Sequence, residues 1–174
     1  GTLERPVPGN RLSSYNKPDT WITGKITREY WASVHGSTIA SIPLSSTPTS
    51  VSEIASFQTP SFVADNYGQR VRGYITAPAT GQYTFWIAAD DVAELWLSSS
   101  EDPALKRKIA QVDRWTSPNQ WTKYASQESG RISLEAGRRY DIRLEYYDDA
   151  GTARIALRWR SASQTEEAVP ASQL

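Results

Sequence analysis

The chain has 174 residues, and its 19 Lys and Arg balance 19 Asp and Glu, so it carries no net charge at neutral pH. That balance leaves no basic footprint for nucleic acid, and no apolar run approaches the length of a membrane span. With no cysteine and one histidine, His35, the chain cannot build thiolate zinc sites, iron–sulfur clusters, cysteine nucleophiles or multi-histidine metal sites.

The length fits one large all-β domain with a core of its own. Residues 1–19 are rich in Pro, Gly, Asn and Ser, hold no sustained period, and read as a linker or entry segment. Residues 21–31 are dense in aromatic and β-branched side chains and predict a strand. Residues 34–42 predict a short extended piece, and 43–53, rich in Ser, Thr and Pro, a surface loop. A turn is expected at 65–68, with Gly68 supplying the permissive backbone. Residues 70–76 then alternate, with Val71 and Ile75 facing inward.

After a turn at 78–81 comes the richest stretch of the chain, 82–98. Tyr83, Phe85 and Ile87 share one face of a strand, and Leu95 and Leu97 share one face of the next. The two strands are expected to be neighbours, joined at Asp90-Asp91. No Lys or Arg lies between Arg72 and Lys106, so this carboxylate pair needs water or a hard cation as its partner. Further on, 106–112 predict a strand, 113–124 an aromatic-bearing loop with Trp115 and Trp121, and 129–134 another strand. Residues 139–146 place Tyr140, Ile142, Leu144 and Tyr146 on one face. A second acidic turn follows at 148–152, then a strand at 153–159 with Ile155, Leu157 and Trp159 inward. Residues 20–162 form the expected domain and 163–174 a polar tail. Strands divided by Gly, Pro and Asp turns, with hardly a helical period, give an antiparallel β-sandwich or barrel.

Two acidic turns, each at the end of a well-patterned strand, bring four carboxylates together if they lie at one end of the sandwich. Such a cluster is repulsive unless a cation occupies it. Ca²⁺ takes ~6–8 oxygen ligands, carboxylates and backbone carbonyls together. Acidic residues are also ordinary turn formers, and composition by itself favours that plainer reading.

Several stretches together carry a resemblance: 24–31 (GKITREYW), 65–74 (DNYGQRVRGY), 81–91 (GQYTFWIAADD), 93–98 (AELWLS), and 134–137 (LEAG) onward to Trp159. In this order they closely resemble the PA14 domain family over about residues 20 to 160. The resemblance implies a PA14-type β-sandwich with long surface loops, a module of adhesins, glycosidases, toxins and other extracellular proteins. In its lectin-like members a paired Asp-Asp with a cis peptide binds Ca²⁺, and the cation ligates sugar hydroxyls.

Carried onto this chain, the resemblance implies a metal site of Asp90 and Asp91 with the 148–153 loop, from which Asp148, Asp149, Gly151 and Ala153 offer side-chain or carbonyl oxygens. It implies glycan contacts from Asp90, Asp91 and Thr152. Arg154 can hydrogen-bond a hydroxyl or be a solvated strand charge. Trp115 and Trp121 can stack on a sugar or pack under their loop. The expected function is Ca²⁺-dependent carbohydrate binding outside the cell, by a monomeric module of a larger chain that inserts in no membrane. The alternative is a spacer or protein-interaction module in which Ca²⁺ is purely structural. Catalysis is not expected: adjacent carboxylates are a poor template for a glycosidase pair, and His35 has no nucleophile motif near it.

Overall fold

The computed structural model describes residues 24–59, 64–151, 153–161 and 167–174. They hold ten strands: β1 (Ile26–Trp31), β2 (Ser50–Ile54), β3 (Tyr67–Thr76), β4 (Gly81–Asp90), β5 (Val92–Ser98), β6 (Lys106–Val112), β7 (Ile132–Leu134), β8 (Arg139–Asp148), β9 (Arg154–Ser161) and β10 (Glu167–Ala168). One sheet has the order β2-β1-β3-β8-β5-β6, the other β10-β9-β4-β7. Every ladder between strands is antiparallel. The two sheets pack face to face as a β-sandwich.

Period-two patterning decides which side chains meet between the sheets. Val71 and Ile75 on β3, Leu95 and Leu97 on β5, and Ile142 and Leu144 on β8 line the six-stranded side. Tyr83, Phe85 and Ile87 on β4 meet them from the other sheet, with Ile155, Leu157 and Trp159 on β9. Trp159 is fully buried, with ring centroids 5.2 Å from Tyr83 and 6.1 Å from Phe85.

The outer face of the six-stranded sheet is polar. Glu29 on β1 accepts from Arg70 at 2.6 Å and from Arg72 at 3.1 Å across the β1–β3 ladder. At one end of this face a second cluster forms from Trp31, Val34, Ile39, Ile42 and Tyr147. The Tyr147 hydroxyl donates to the Gly36 carbonyl at 2.7 Å, which holds the 32–46 segment against the sheet.

Several expectations need correction. β4 and β5 are consecutive but lie in different sheets, because the chain crosses the sandwich between them. Residues 34–42 are not extended: a 3-10 turn (Ile39–Ser41) folds Ile39 and Ile42 onto the second cluster. Within 43–53, residues from Ser50 onward form β2. That edge strand is mostly exposed on both faces and therefore leaves no periodic signal. At 65–68 the left-handed residue is Asn66, φ 55, while Gly68 already belongs to β3. Gly68 is needed for space instead, since a Cβ there would lie 2.7 Å from Ile42.

The strand expected at 129–134 spans only Ile132–Leu134. Residues 167–174, expected as a polar tail, belong to the fold. β10 pairs with β9, Val169 is 3% exposed, and the Leu174 carbonyl accepts from the Gly24 N–H at 3.2 Å. The linker expected at 1–19, the strand start at Trp21 and residue Thr152 lie outside the described residues.

Candidate functional site

Two connections cross between the sheets at the same end of the sandwich. The first runs from Asp90, paired with Arg154 in the β4–β9 ladder, to Val92, paired with Tyr147 in the β5–β8 ladder. The second leaves β8 at Asp148 and enters β9 at Arg154. Residues next to one end of each crossing are thus partners of residues next to the other. The two acidic turns lie side by side, and the Asp90–Asp91 peptide is cis.

Asp148 is placed by the alternation that buries Tyr140, Ile142, Leu144 and Tyr146. It is the next inward position on β8 and is 0% exposed. Its Oδ1 accepts from the Tyr146 hydroxyl at 3.1 Å, while its Oδ2, also buried, has no hydrogen-bond partner. Burial pushes its carboxyl up to about 6. The Tyr146 hydrogen bond opposes this, and the nearby charges of Asp90, Asp149 and Asp65 add to it. Asp91 is half-buried, and its Oδ2 accepts from the Asp149 N–H at 3.2 Å. Burial first, then the Asp149 carboxyl and the charge of Asp90, push Asp91 well above the usual carboxylate range.

Of the other expected residues, Gly151 is exposed with φ 107, a conformation that suits glycine. Ala153 is fully buried just before β9, and Arg154 is half-buried opposite Asp90. Trp115 is 54% exposed and stands beside the site. Its neighbour Thr116 accepts from the Ala89 N–H at 3.0 Å and donates back to the Ala89 carbonyl at 2.9 Å. The Lys123 ammonium lies 3.4 Å from the Trp115 ring centroid. Trp121 is placed elsewhere: the Arg158 guanidinium lies 4.8 Å from its ring and 4.9 Å from that of Trp86, on the outer face of the four-stranded sheet. His35 is exposed.

The sequence reading missed a third wall. The Gly151 N–H donates to Asp65 Oδ1 at 3.2 Å, and the Asn66 N–H donates to the Asp149 carbonyl at 3.0 Å. The segment before β3 therefore braces the 148–153 loop. Its signal in the sequence is the aspartate of the DNYG turn, a residue type that turn chemistry by itself already explains. Tyr146, which reaches both Asp148 and the Asp90 carbonyl, was also missed, because its alternation marked it only as a core residue.

Among the described residues, no group of three His, Cys, Asp or Glu side chains is close enough to hold a metal ion by itself. Backbone carbonyls would have to complete any cation shell. The donor set otherwise suits a hard cation. A fully enclosed oxygen of the Asp148 carboxylate lacks a hydrogen-bond partner, and the charges of three further aspartates act on that carboxylate.

The family model for the PA14 domain matches residues 23–173. Two curated relatives are similar over part of the chain. N-acetyl-beta-glucosaminyl-glycoprotein 4-beta-N-acetylgalactosaminyltransferase 1 of Mus musculus is 39% identical over 101 residues, which is 55% of this chain and 10% of the relative. Anti-sigma-I factor RsgI3 of Acetivibrio thermocellus is 34% identical over 110 residues, 63% of this chain and 15% of the relative. The chain thus spans a small fraction of the curated relatives it matches. Among solved structures, a PA14 sugar-binding domain from an RTX adhesin is similar with a TM-score of 0.65 at 13% identity. The match covers 86% of this chain and 97% of that one, a likeness of fold. With the family model matched across both sheets, the chain belongs to the PA14 domain family.

Proposed function

We propose that this domain binds carbohydrate through a Ca²⁺ ion held where the two acidic crossings meet. The observation that carries the reading is the buried, unpartnered Oδ2 of Asp148, on a carboxylate that feels the charges of Asp90, Asp149 and Asp65. A carboxylate oxygen removed from water and given no donor is costly unless something cationic meets it. In this reading Asp90, Asp91 and Asp148 contribute oxygens without forming a converging group of three carboxylates, and backbone carbonyls of the two crossings complete the shell. Ca²⁺ in this position supplies coordination positions that sugar hydroxyls can take in place of water.

The chain's own residues do the rest. The Asp149 N–H keeps Asp91 oriented, and Asp65 and Asn66 hold the loop from behind. Trp115, exposed beside the crossing, offers an apolar ring face to a sugar. Arg154, opposite Asp90 in the ladder, takes the role of hydrogen-bonding a sugar hydroxyl in this reading. Trp121, stacked under Arg158, packs the outer face of the sheet in this reading. The sugar-binding adhesin domain supports the proposal as a relative in fold. We infer binding without bond breaking, in a module that acts outside the cell; among the described residues no helix is long and apolar enough to cross a membrane.

Binding to a glycan array in CaCl₂, repeated in EGTA, tests the reading. Calcium-dependent binding to a defined set of glycans is expected. Binding that survives chelation would remove the cation from the mechanism. Calcium uptake with no glycan bound would favour a second reading, a structural role for the ion. The full enclosure of Asp148 favours that alternative, because a cation there ties the two sheets together whatever else it meets.

A further inference from the structure

We infer that Tyr146 is a positioning residue for this cation site, holding Asp148 by Oδ1 so that the carboxylate meets a cation through Oδ2 alone. The inference rests on the Ca²⁺ reading above. Tyr146 lies on β8 between the sheets and is 1% exposed. Its hydroxyl reaches two acceptors that belong to the two different crossings, Oδ1 of Asp148 at 3.1 Å and the backbone carbonyl of Asp90. A phenol has one proton to donate. Shared between these acceptors, it links the end of β4 in one sheet to the end of β8 in the other.

The surroundings fix the direction of that proton. Behind Tyr146 lies a partly buried polar column. The Tyr67 ring meets it edge-on at 5.8 Å, and Tyr30 lies 5.2 Å beyond Tyr67. The Arg28 guanidinium lies 5.5 Å from the Tyr30 ring centroid, and its Nε donates to the Gln69 side chain. Three groups of this column that can donate, Tyr67 OH, Gln69 Nε2 and Arg28 Nη2, are buried without a hydrogen-bond partner. The two groups that the Tyr146 hydroxyl meets, a carboxylate oxygen and a backbone carbonyl, have no proton to give. The hydroxyl therefore sends its proton forward, to Asp148 and the Asp90 carbonyl.

The consequence is specific to one atom. Oδ1 of Asp148 is occupied by Tyr146, and Oδ2 is the buried oxygen left without a partner. Outer hydrogen bonds of this kind orient ligands, and removing one typically costs ~10- to 100-fold in metal affinity.

The test is Tyr146→Phe in the 174-residue protein, with Tyr67→Phe as the comparison. Calcium chloride titration calorimetry gives affinity. Terbium luminescence lifetimes in H₂O and D₂O count water molecules on the bound ion. Tyr146→Phe is expected to weaken Ca²⁺ binding about 10- to 100-fold. It is also expected to leave the ion with one coordinated water fewer, because the freed Oδ1 joins Oδ2 on the cation. Tyr67→Phe removes the neighbouring buried hydroxyl, which bonds neither aspartate, and is expected to weaken binding less than Tyr146→Phe and to leave the water count as in wild type.

Unchanged affinity in Tyr146→Phe overturns the inference. Weaker binding with an unchanged water count overturns it too, since loss of rigidity alone would not alter coordination. Should Tyr146→Phe fail to fold, a crystal structure of the wild-type protein with Ca²⁺ decides. Oδ2 on the ion with Oδ1 still on Tyr146 supports the inference, and two-oxygen ligation by Asp148 overturns it. If the wild-type protein binds no Ca²⁺, the cation reading itself falls; if it binds and only these outcomes fail, the role of Tyr146 alone falls.

Discussion

The backbone N–H of Asp149 donates to Oδ2 of Asp91 at 3.2 Å, joining the two crossings of the sandwich through the protein's own atoms. One carboxylate of the pair is thereby oriented by the loop that supplies the opposite wall. The joint is under electrostatic load, because the Asp149 carboxyl and Asp90 both disfavour the charge on Asp91. A cation would relieve that load and tighten the same joint.

Calcium is accordingly expected to stabilise the protein. At a free concentration of 100 times Kd the gain is about 2.7 kcal/mol, read as a rise in Tm that EGTA reverses. Asp91→Asn is expected to abolish the rise while raising the Tm of the calcium-free protein, since it removes one of several like charges. A calcium-dependent Tm shift of wild-type size in Asp91→Asn would exclude Asp91 as a ligand.

Trp115→Ala separates the sugar from the cation. The side chain is exposed, so stability is expected to change by no more than about 0.5 kcal/mol. Calcium affinity is expected to hold, while glycan affinity falls. Equal glycan binding by mutant and wild type would show that this ring takes no part.

Acid sensitivity is expected to reside partly in Glu29. Burial by itself pushes its carboxyl up, but hydrogen bonds and charge from Arg70 and Arg72 outweigh burial and hold it below its ordinary value. A carboxyl depressed in the folded state contributes stability above its unfolded pKa, about 4.3. That contribution is lost as pH falls from there through the folded value. Glu29→Gln is therefore expected to lower Tm at neutral pH and to flatten its decline below about pH 4. Parallel Tm–pH curves for mutant and wild type would refute the assignment.

Packing makes two further demands. Trp159→Ala empties a fully buried site against Tyr83 and Phe85 and is expected to cost about 3–5 kcal/mol in urea unfolding. Gly68→Ala drives a methyl against Ile42 and is expected to cost about 1–3 kcal/mol. Adding Ile42→Ala should recover part of that loss. No recovery in the double variant would mean that the clash lies elsewhere.

Strands with one wet face were readable from the chain. Alternation at 70–76, 82–87 and 153–159 placed Val71, Phe85 and Trp159 inward, and the structure buries all three. β2 was not readable, because an edge strand exposed on both faces has no period. The C-terminal residues were not readable either, because Val169 and Leu174 are single apolar positions that gain meaning only beside β9 and Gly24.

The sequence by itself determined the sandwich class, the inward faces and the two acidic turns, because these depend on neighbours two residues apart and on local turn chemistry. Only the tertiary structure decided that Asp90 and Asp91 bridge two sheets instead of closing a hairpin. Strand pairing depends on which edges meet, and β5 finds β8 while β4 finds β9. That choice sets the two crossings side by side, brings Asp65 to the 148–153 loop, and leaves one oxygen of Asp148 buried without a partner.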